Sequence, residues 1–252
     1  MSIHEHCLIP IWPAPLNIRA LQTTRLGGVS RAPYHSLNLG SHVNDAPLDV
    51  ARNRMLLNTL MPSEPVWLEQ VHGIVVANAD SAGCLPMADA CIATHRSAVC
   101  VVMTADCLPV LLCDQQGTVV GAVHAGWKGL AAGVIEATVQ AMNVPAQNLM
   151  AWLGPAISQN AFEVGAEVRD TFIVADPQAE RAFVVGQGGK WRADIYALAR
   201  LRLNTLGITK IYGGEYCTYR EAGRFFSYRR DGVTGRMGTF IWLESPQIEE
   251  RS

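Results

Sequence analysis

The tetrad Asp114-Gln-Gln-Gly117, flanked by the apolar runs 109–113 and 118–123, constrains this chain more than any other feature. Turn-forming residues between two strand-sized apolar segments predict an antiparallel hairpin. Symmetry about Gln115 and Gln116 would set Cys107 opposite His124, with Cβ atoms about 4.5–5.5 Å apart. Pro109 has no N–H to donate, which places Cys107 on looser backbone just before the ladder. A thiol and an imidazole brought together in this way serve either as metal ligands or as a nucleophile and its base. The ordinary alternative is a cysteine filling the core and a histidine on the surface.

Further strand-like runs lie at 19–24, 66–71, 74–77, 99–103, 150–153, 225–228 and 239–243. Helical patterns cover 49–60, with Asp49 as N-cap, and 126–142, whose stripe is Leu130, Val134, Ile135, Val139 and Met142. Two more are expected at 163–173 and 194–206, the latter between an Asp194 cap and Gly207 at C′. Strands outnumber helices about two to one. This predicts mixed sheets covered by helices, not a doubly wound parallel sheet. With no low-complexity linker in 252 residues, 1–252 reads as a single unit.

A 49% hydrophobic, 17% charged chain is globular in type. Its net charge of −2 argues against nucleic acid or an anionic membrane as partner. No apolar run approaches the roughly 18–20 residues of a membrane span. The start of the chain lacks a basic segment and soon meets Pro10, Pro13 and Pro15, unlike a secretory signal. Seven cysteines then read as reduced thiols, and the expected location is cytoplasmic.

If Cys107 and His124 are ligands, a catalytic zinc site needs a third and keeps one position open. His72, at a strand end before Gly73, is the best placed. His35 and His42 lie in a loop-like stretch, His95 follows a strand, and His4 and His6 sit near a terminus expected to be mobile. No Cys-x-x-Cys occurs, which removes a zinc ribbon and the zinc deaminase signature. Too few histidines are present for a multinuclear copper cluster. Dinucleotide, P-loop and Gly-x-Ser-x-Gly fingerprints are also missing.

Two segments could hold an anion. In His124-Ala-Gly-Trp-Lys128-Gly a strand passes through glycine into a helix, which aims free N–H groups and Lys128 at one spot. Segment 217–236 concentrates Arg220, Arg224, Arg229, Arg230 and Arg236, whose guanidinium groups suit phosphates. Glu221 and Asp231 among them make surface ion pairing an equal explanation.

The motifs also come in a specific order. They are Thr23-Thr-Arg-Leu-Gly-Gly-Val-Ser30, Ser36-Leu-Asn-Leu-Gly40 with His42, Trp67-Leu-Glu-Gln-Val-His72-Gly73 and Met103-Thr-Ala-Asp-Cys107-Leu-Pro109. Ala122-Val-His124-Ala-Gly-Trp-Lys128-Gly129, Leu153-Gly-Pro-Ala-Ile157, Phe226-Ser-Tyr-Arg-Arg-Asp231 and Thr234-Gly-Arg236 follow. Over nearly the whole chain this resembles the YfiH family of laccase-domain or polyphenol oxidase proteins. The resemblance implies an α+β fold of two packed mixed sheets flanked by helices, not Rossmann, and one zinc per chain, held by His72, Cys107 and His124, which are also the implied catalytic residues. It further implies phosphorolysis of adenosine, inosine, guanosine and methylthioadenosine, together with deamination of adenosine. Purine nucleosides and phosphate are then the partners.

Lys128, Arg229, Arg230, Asn38 and Arg54 are the candidate phosphate- or substrate-binding residues. Glu69 and Asp106, next to ligand-bearing segments, are the candidate proton shuttles. Two readings compete. One is an amidase with Cys107 as nucleophile and His124 as base, for which the family resemblance implies a concrete version, the editing of a UDP-sugar peptidoglycan precursor. The other is a copper-dependent polyphenol oxidase or redox metal-binding protein, with Cu2+ as the alternative ion.

Overall fold

The computed structural model describes residues 3–81, 83 and 85–244; the remainder of the expected 1–252 unit lies outside the described residues. The hairpin forms, with Leu108–Asp114 antiparallel to Val120–Ala125. Its register is not the symmetric one: Pro109, not Cys107, pairs with His124, and Cys113 pairs with Val120. Asp114 is the cause. Its carboxylate accepts hydrogen bonds from the backbone N–H groups of Thr118 at 2.7 Å and Val119 at 3.1 Å, and from the Thr118 hydroxyl at 2.8 Å. The loop it encloses is longer than the tetrad. A shift of two residues keeps every side chain on its face of the pleat. Cys107 therefore stays on the His124 side, as a diagonal neighbour just ahead of the strand.

Around this hairpin lies a six-stranded sheet in the order Lys210–Gly213, Leu149–Leu153, Leu108–Asp114, Val120–Ala125, Ala90–Ala93 and Val76–Asn78. Its outermost pairs are parallel and its central pairs antiparallel. A four-stranded antiparallel sheet runs Cys7–Leu8, Ile18–Thr23, Met237–Leu243, Val99–Thr104. A third, small antiparallel sheet contains Phe183–Val185, Trp191–Ala193 and Glu163–Val164. The fold is thus α+β, as expected, with the small sheet in addition.

The two large sheets pack face to face: Leu111, Ala122 and Trp152 meet Cys100, Val102 and Ile241. On the opposite face of the larger sheet, Val110, Leu112 and Val123 belong to the same cluster as helix residues Leu130, Ile135, Phe172 and Leu198. The outer face of the smaller one carries Val101, Phe240 and Trp242 against Leu37, Leu39 and Leu57. With both faces of each sheet covered, the central strands are apolar throughout and do not alternate. Leu111→Ala, in the middle of the sandwich, should cost about 2–5 kcal/mol.

Several local expectations are corrected. The helix expected over 126–142 is two helices, Trp127–Ala132 and Val134–Met142, broken at Gly133. Its φ of 100° ends one helix and starts the next, a backbone state that glycine adopts without strain. Residues 163 and 164 form a strand, and the helix there is Ala166–Ala175. The helix Pro47–Asn58 starts before Asp49, with Ala46 as its cap. Segment 66–71 makes only isolated bridges, Val66 to Cys100 and Glu69 to Met87. Phe225 and Phe226 fill the core without a sheet partner, and Tyr228–Asp231 is a short helix capped by Ser227. The N-terminal segment is tied down: the His6 carbonyl accepts hydrogen bonds from Thr24 N at 3.3 Å and Thr24 Oγ1 at 2.7 Å. Ile195–Thr205 matches its expectation, with Asp194 capping Ala197 N and Gly207 in the left-handed region.

Candidate metal centre

One buried carboxylate organises the site. Asp89, fully buried just before strand Ala90–Ala93, accepts hydrogen bonds from the backbone N–H groups of Val71 at 3.2 Å, His72 at 2.9 Å and Gly73 at 2.6 Å. Those three bonds hold a tight turn in which His72 has a φ of 62°. The same carboxylate lies 2.8 Å from His124 Nδ1, and the Asp89 carbonyl accepts from His124 N at 2.7 Å. With Nδ1 engaged, His124 is left with Nε2 as its ligand atom, the arrangement of carboxylate–histidine–metal triads.

Cys107 arrives from the other side, after Asp106, whose φ is 97°. The Asp106 carboxylate accepts from Thr218 Oγ1 and Arg229 N, both at 2.6 Å, which pins the turn. Cys107 Sγ then lies 3.8 Å from His72 Nε2. The His72 and His124 rings meet edge to face, with centroids 4.7 Å apart. The ligand atoms of His72, Cys107 and His124 all fall within 4.8 Å of one another. A tetrahedral ion with bonds of about 2.05 Å to nitrogen and 2.3 Å to sulfur separates those atoms by roughly 3.6 Å. The donor set fits a zinc- or copper-type ion. Gly126 is part of the fit, because a Cβ there would stand 2.8 Å from His72 Cδ2 and 3.0 Å from Cys107 Sγ.

The trio is also electrostatically coupled. Burial alone would push the Cys107 thiol up, yet the His124 charge and hydrogen bonds to both imidazoles hold it at about 6. Burial would lower His124, but the Cys107 thiolate and Asp89 raise it to about 9. Burial would likewise raise the Asp89 carboxyl, and the hydrogen bonds from His124 and Gly73 bring it below its ordinary value. Without metal, both shifts run in the direction of a thiolate–imidazolium pair.

The trio opens into a cavity of about 370 Å³, lined also by Gln70, Met103, Thr104, His42, Tyr228 and Arg236. Gln70 is fixed by two bonds to the Met103 backbone, at 2.7 and 2.8 Å. The other expected residues stand elsewhere. Lys128 is exposed, 5.8 Å above the Trp127 ring, and is not in the lining. Arg229 donates to the Glu163 carbonyl at 2.8 Å. Arg230 donates to the carbonyls of Thr218, Tyr219 and Phe225 and pairs with Asp231. Arg54 binds the Leu39 carbonyl and stacks 3.8 Å over Trp67. Asn38 is fully buried and bonds backbone groups of Gly40 and Arg236. Glu69 is exposed outside the lining, and both Asp106 oxygens are occupied.

Sequence reasoning missed Asp89, ranked His42 low and did not single out Arg236 from its neighbours. Asp89 had one signal, an acid within the otherwise apolar run 88–93. Arg236 had none beyond its motif.

Comparison with known proteins follows the same lines. The profile of a family described as multi-copper polyphenol oxidoreductase laccase matches residues 19–244. The chain is 52% identical over 238 residues to a protein of Pseudomonas aeruginosa named purine nucleoside phosphorylase, spanning 94% of this chain and 98% of that one. It is 52% identical over 239 residues to the purine nucleoside phosphorylase YfiH of Escherichia coli, with coverage of 94% and 98%. Among solved structures, a Neisseria meningitidis protein superposes with a TM-score of 0.92 at 51% identity, covering 95% of this chain and 100% of the other. YlmD from Geobacillus stearothermophilus gives 0.86 at 30% identity, with coverage of 92% and 94%.

Proposed function

The chain belongs to the multi-copper polyphenol oxidoreductase laccase family, to which YfiH also belongs, and we propose that it acts as a zinc-dependent purine nucleoside phosphorylase. One observation carries the reading. A His-Cys-His trio opens into a cavity of about 370 Å³, in a chain 52% identical over nearly its full length to proteins named for that activity. His72, Cys107 and His124 would hold the ion, one per chain, which when bound supplies a Lewis acid at the cavity floor.

The protein's own groups do the rest. Asp89 orients His124 and the His72 turn, so that donors meet the ion without rearrangement. Met103 and Tyr228 offer polarisable and aromatic surface to a purine. The substrate range proposed is adenosine, inosine, guanosine and methylthioadenosine, with adenosine also deaminated by water. The chain 1–252 would work as one unit in the cytoplasm, where its thiols stay reduced; the six described cysteines are free.

Assaying adenosine with and without phosphate, and resolving adenine from inosine, tests this directly. Adenine formed only with phosphate supports phosphorolysis, inosine formed without it supports deamination, and neither product overturns both. A second reading has one observation in its favour: Cys107, held at about 6 beside an imidazolium, is chemically a nucleophile. An amidase of that kind should form a trappable acyl adduct in metal-free protein. Copper-dependent phenol oxidation is tested by reconstituting stripped protein with each ion. Nucleoside cleavage with zinc alone and phenol turnover only with copper are the expected results.

A further inference from the structure

We propose that Arg236, with the Thr104 hydroxyl and His42, forms the anion-binding half of the cavity and holds the inorganic phosphate used in catalysis. This rests on the phosphorylase reading above. The argument starts from two motifs that are far apart in sequence and meet in the fold. Asn38 Oδ1 accepts hydrogen bonds from Arg236 N and Gly40 N, both at 2.9 Å, and Leu39 N donates to the Arg236 carbonyl at 3.1 Å. A Cβ at Gly40 would come within 2.8 Å of Arg236 Cγ, so only glycine lets the arginine stem pass. The 38–40 and 234–236 segments therefore clamp the backbone and stem of a single arginine.

Its head group is left partly unused. Nη1 donates to the carbonyls of Thr234 at 3.0 Å and Gly235 at 3.1 Å, while Nε and Nη2 have no hydrogen-bond partner among the described residues. That free edge is the one a guanidinium offers to a bidentate oxyanion. Thr104 points to the same conclusion independently. It lines the cavity, is 1% exposed, and its Oγ1 has no partner. An unsatisfied buried hydroxyl is unfavourable; closed to solvent as it stands, Oγ1 would be satisfied by a ligand oxygen after rotation about χ1 towards the cavity. His42 adds a third polar group to the same lining. Arg229 and Arg230, by contrast, are not in the cavity lining: Arg229 gives Nη1 to the Glu163 carbonyl, and Arg230 is spent on the carbonyls of Thr218, Tyr219 and Phe225.

In the reaction this places phosphate beside the metal trio. A phosphate oxygen forms a bond to ribose C1′ as the C1′–N9 bond breaks. The electron pair leaves with the purine, which takes up a proton, and the products are free base and ribose 1-phosphate.

The test uses as-purified protein carrying its metal, with R236Q, R236K and T104V variants. Calorimetric titration with inorganic phosphate alone is paired with the phosphate KM for adenosine cleavage. R236Q should weaken phosphate binding and raise its KM by about 10- to 100-fold, R236K less, with metal content and nucleoside KM held within about twofold. T104V should weaken phosphate by about 3- to 10-fold, and serves if R236Q folds poorly. Wild-type phosphate affinity in R236Q and T104V, or no phosphate binding by the wild type, overturns the assignment. If wild type cleaves adenosine with phosphate but R236Q keeps its phosphate KM, the subsite is wrong and the phosphorylase reading stands. If phosphate binds through Arg236 but no nucleoside is cleaved, the anion site stands and the phosphorylase reading falls.

Discussion

The metal trio and the arginine-rich segment 220–236 are both clusters of reactive side chains, and they differ in what surrounds them. Around the trio, Asp89 takes up backbone N–H groups and one imidazole nitrogen, leaving the ligand atoms facing each other. Around Arg230 the neighbours are carbonyls, which engage the guanidinium donors themselves, and Arg229 gives Nη1 to the Glu163 carbonyl outside the cavity. Residue type alone does not make a site. A polar group becomes available to a ligand when the fold satisfies everything except the atom that is needed, as at Arg236.

The largest expected effect lies on the trio. Cys107→Ala should take bound metal from about one per chain to background, as elemental analysis would register. Undiminished zinc would remove Cys107 from the ligand set. The matching change in the arginine segment, Arg230→Ala, should leave metal content and phosphate KM alone. It would instead destabilise the fold by about 1–3 kcal/mol, since carbonyls on three residues lose a charged donor. A raised phosphate KM there would erase the contrast.

Asp89→Asn sharpens the comparison from within the site. Loss of the oriented carboxylate should lower metal affinity by about 10- to 100-fold in a chelator competition. An unchanged affinity would mean that the trio positions itself.

The pair's titration gives the next effect. In metal-free protein Cys107 is depressed from 9.0 to about 6, so its contribution to stability is full above pH 9 and is lost as pH falls through 6. His124 is raised from 6.5 to about 9, so its contribution is full below pH 6.5 and is lost as pH rises through 9. Metal-free protein should therefore melt highest between about pH 6 and 9, with iodoacetamide labelling of Cys107 rising through pH 6. A labelling midpoint near 9 would show that no ion pair exists. The smallest effect is at Lys128, exposed and outside the cavity. Lys128→Ala should shift stability by less than about 0.5 kcal/mol and leave the phosphate KM unchanged.

The amino-acid pattern by itself pointed to mixed sheets covered by helices and to a Cys107–His124 pair, and the family motifs added His72. Apolar runs long enough for strands but too short for membrane spans, joined by a turn tetrad, required a hairpin. The even spacing of its positions kept Cys107 and His124 on one face despite the altered register. His72 was legible as a histidine before glycine at the end of an apolar run.

Only the tertiary structure decided the rest, because it depends on which distant segments meet. Asp114 drew Thr118 and Val119 into a longer loop, through side-chain bonds that no hydrophobic pattern records. Gly133 broke one amphipathic stripe into two helices with its polarity unchanged. Asp89 met His72 and His124 across 17 and 35 residues, and Asn38 met Arg236 across 198. Hydrogen-bond satisfaction is a property of the assembled neighbourhood. Among five arginines of similar appearance in sequence, the fold set Arg236 alone in the cavity lining beside the metal trio, with its Nε–Nη2 edge free.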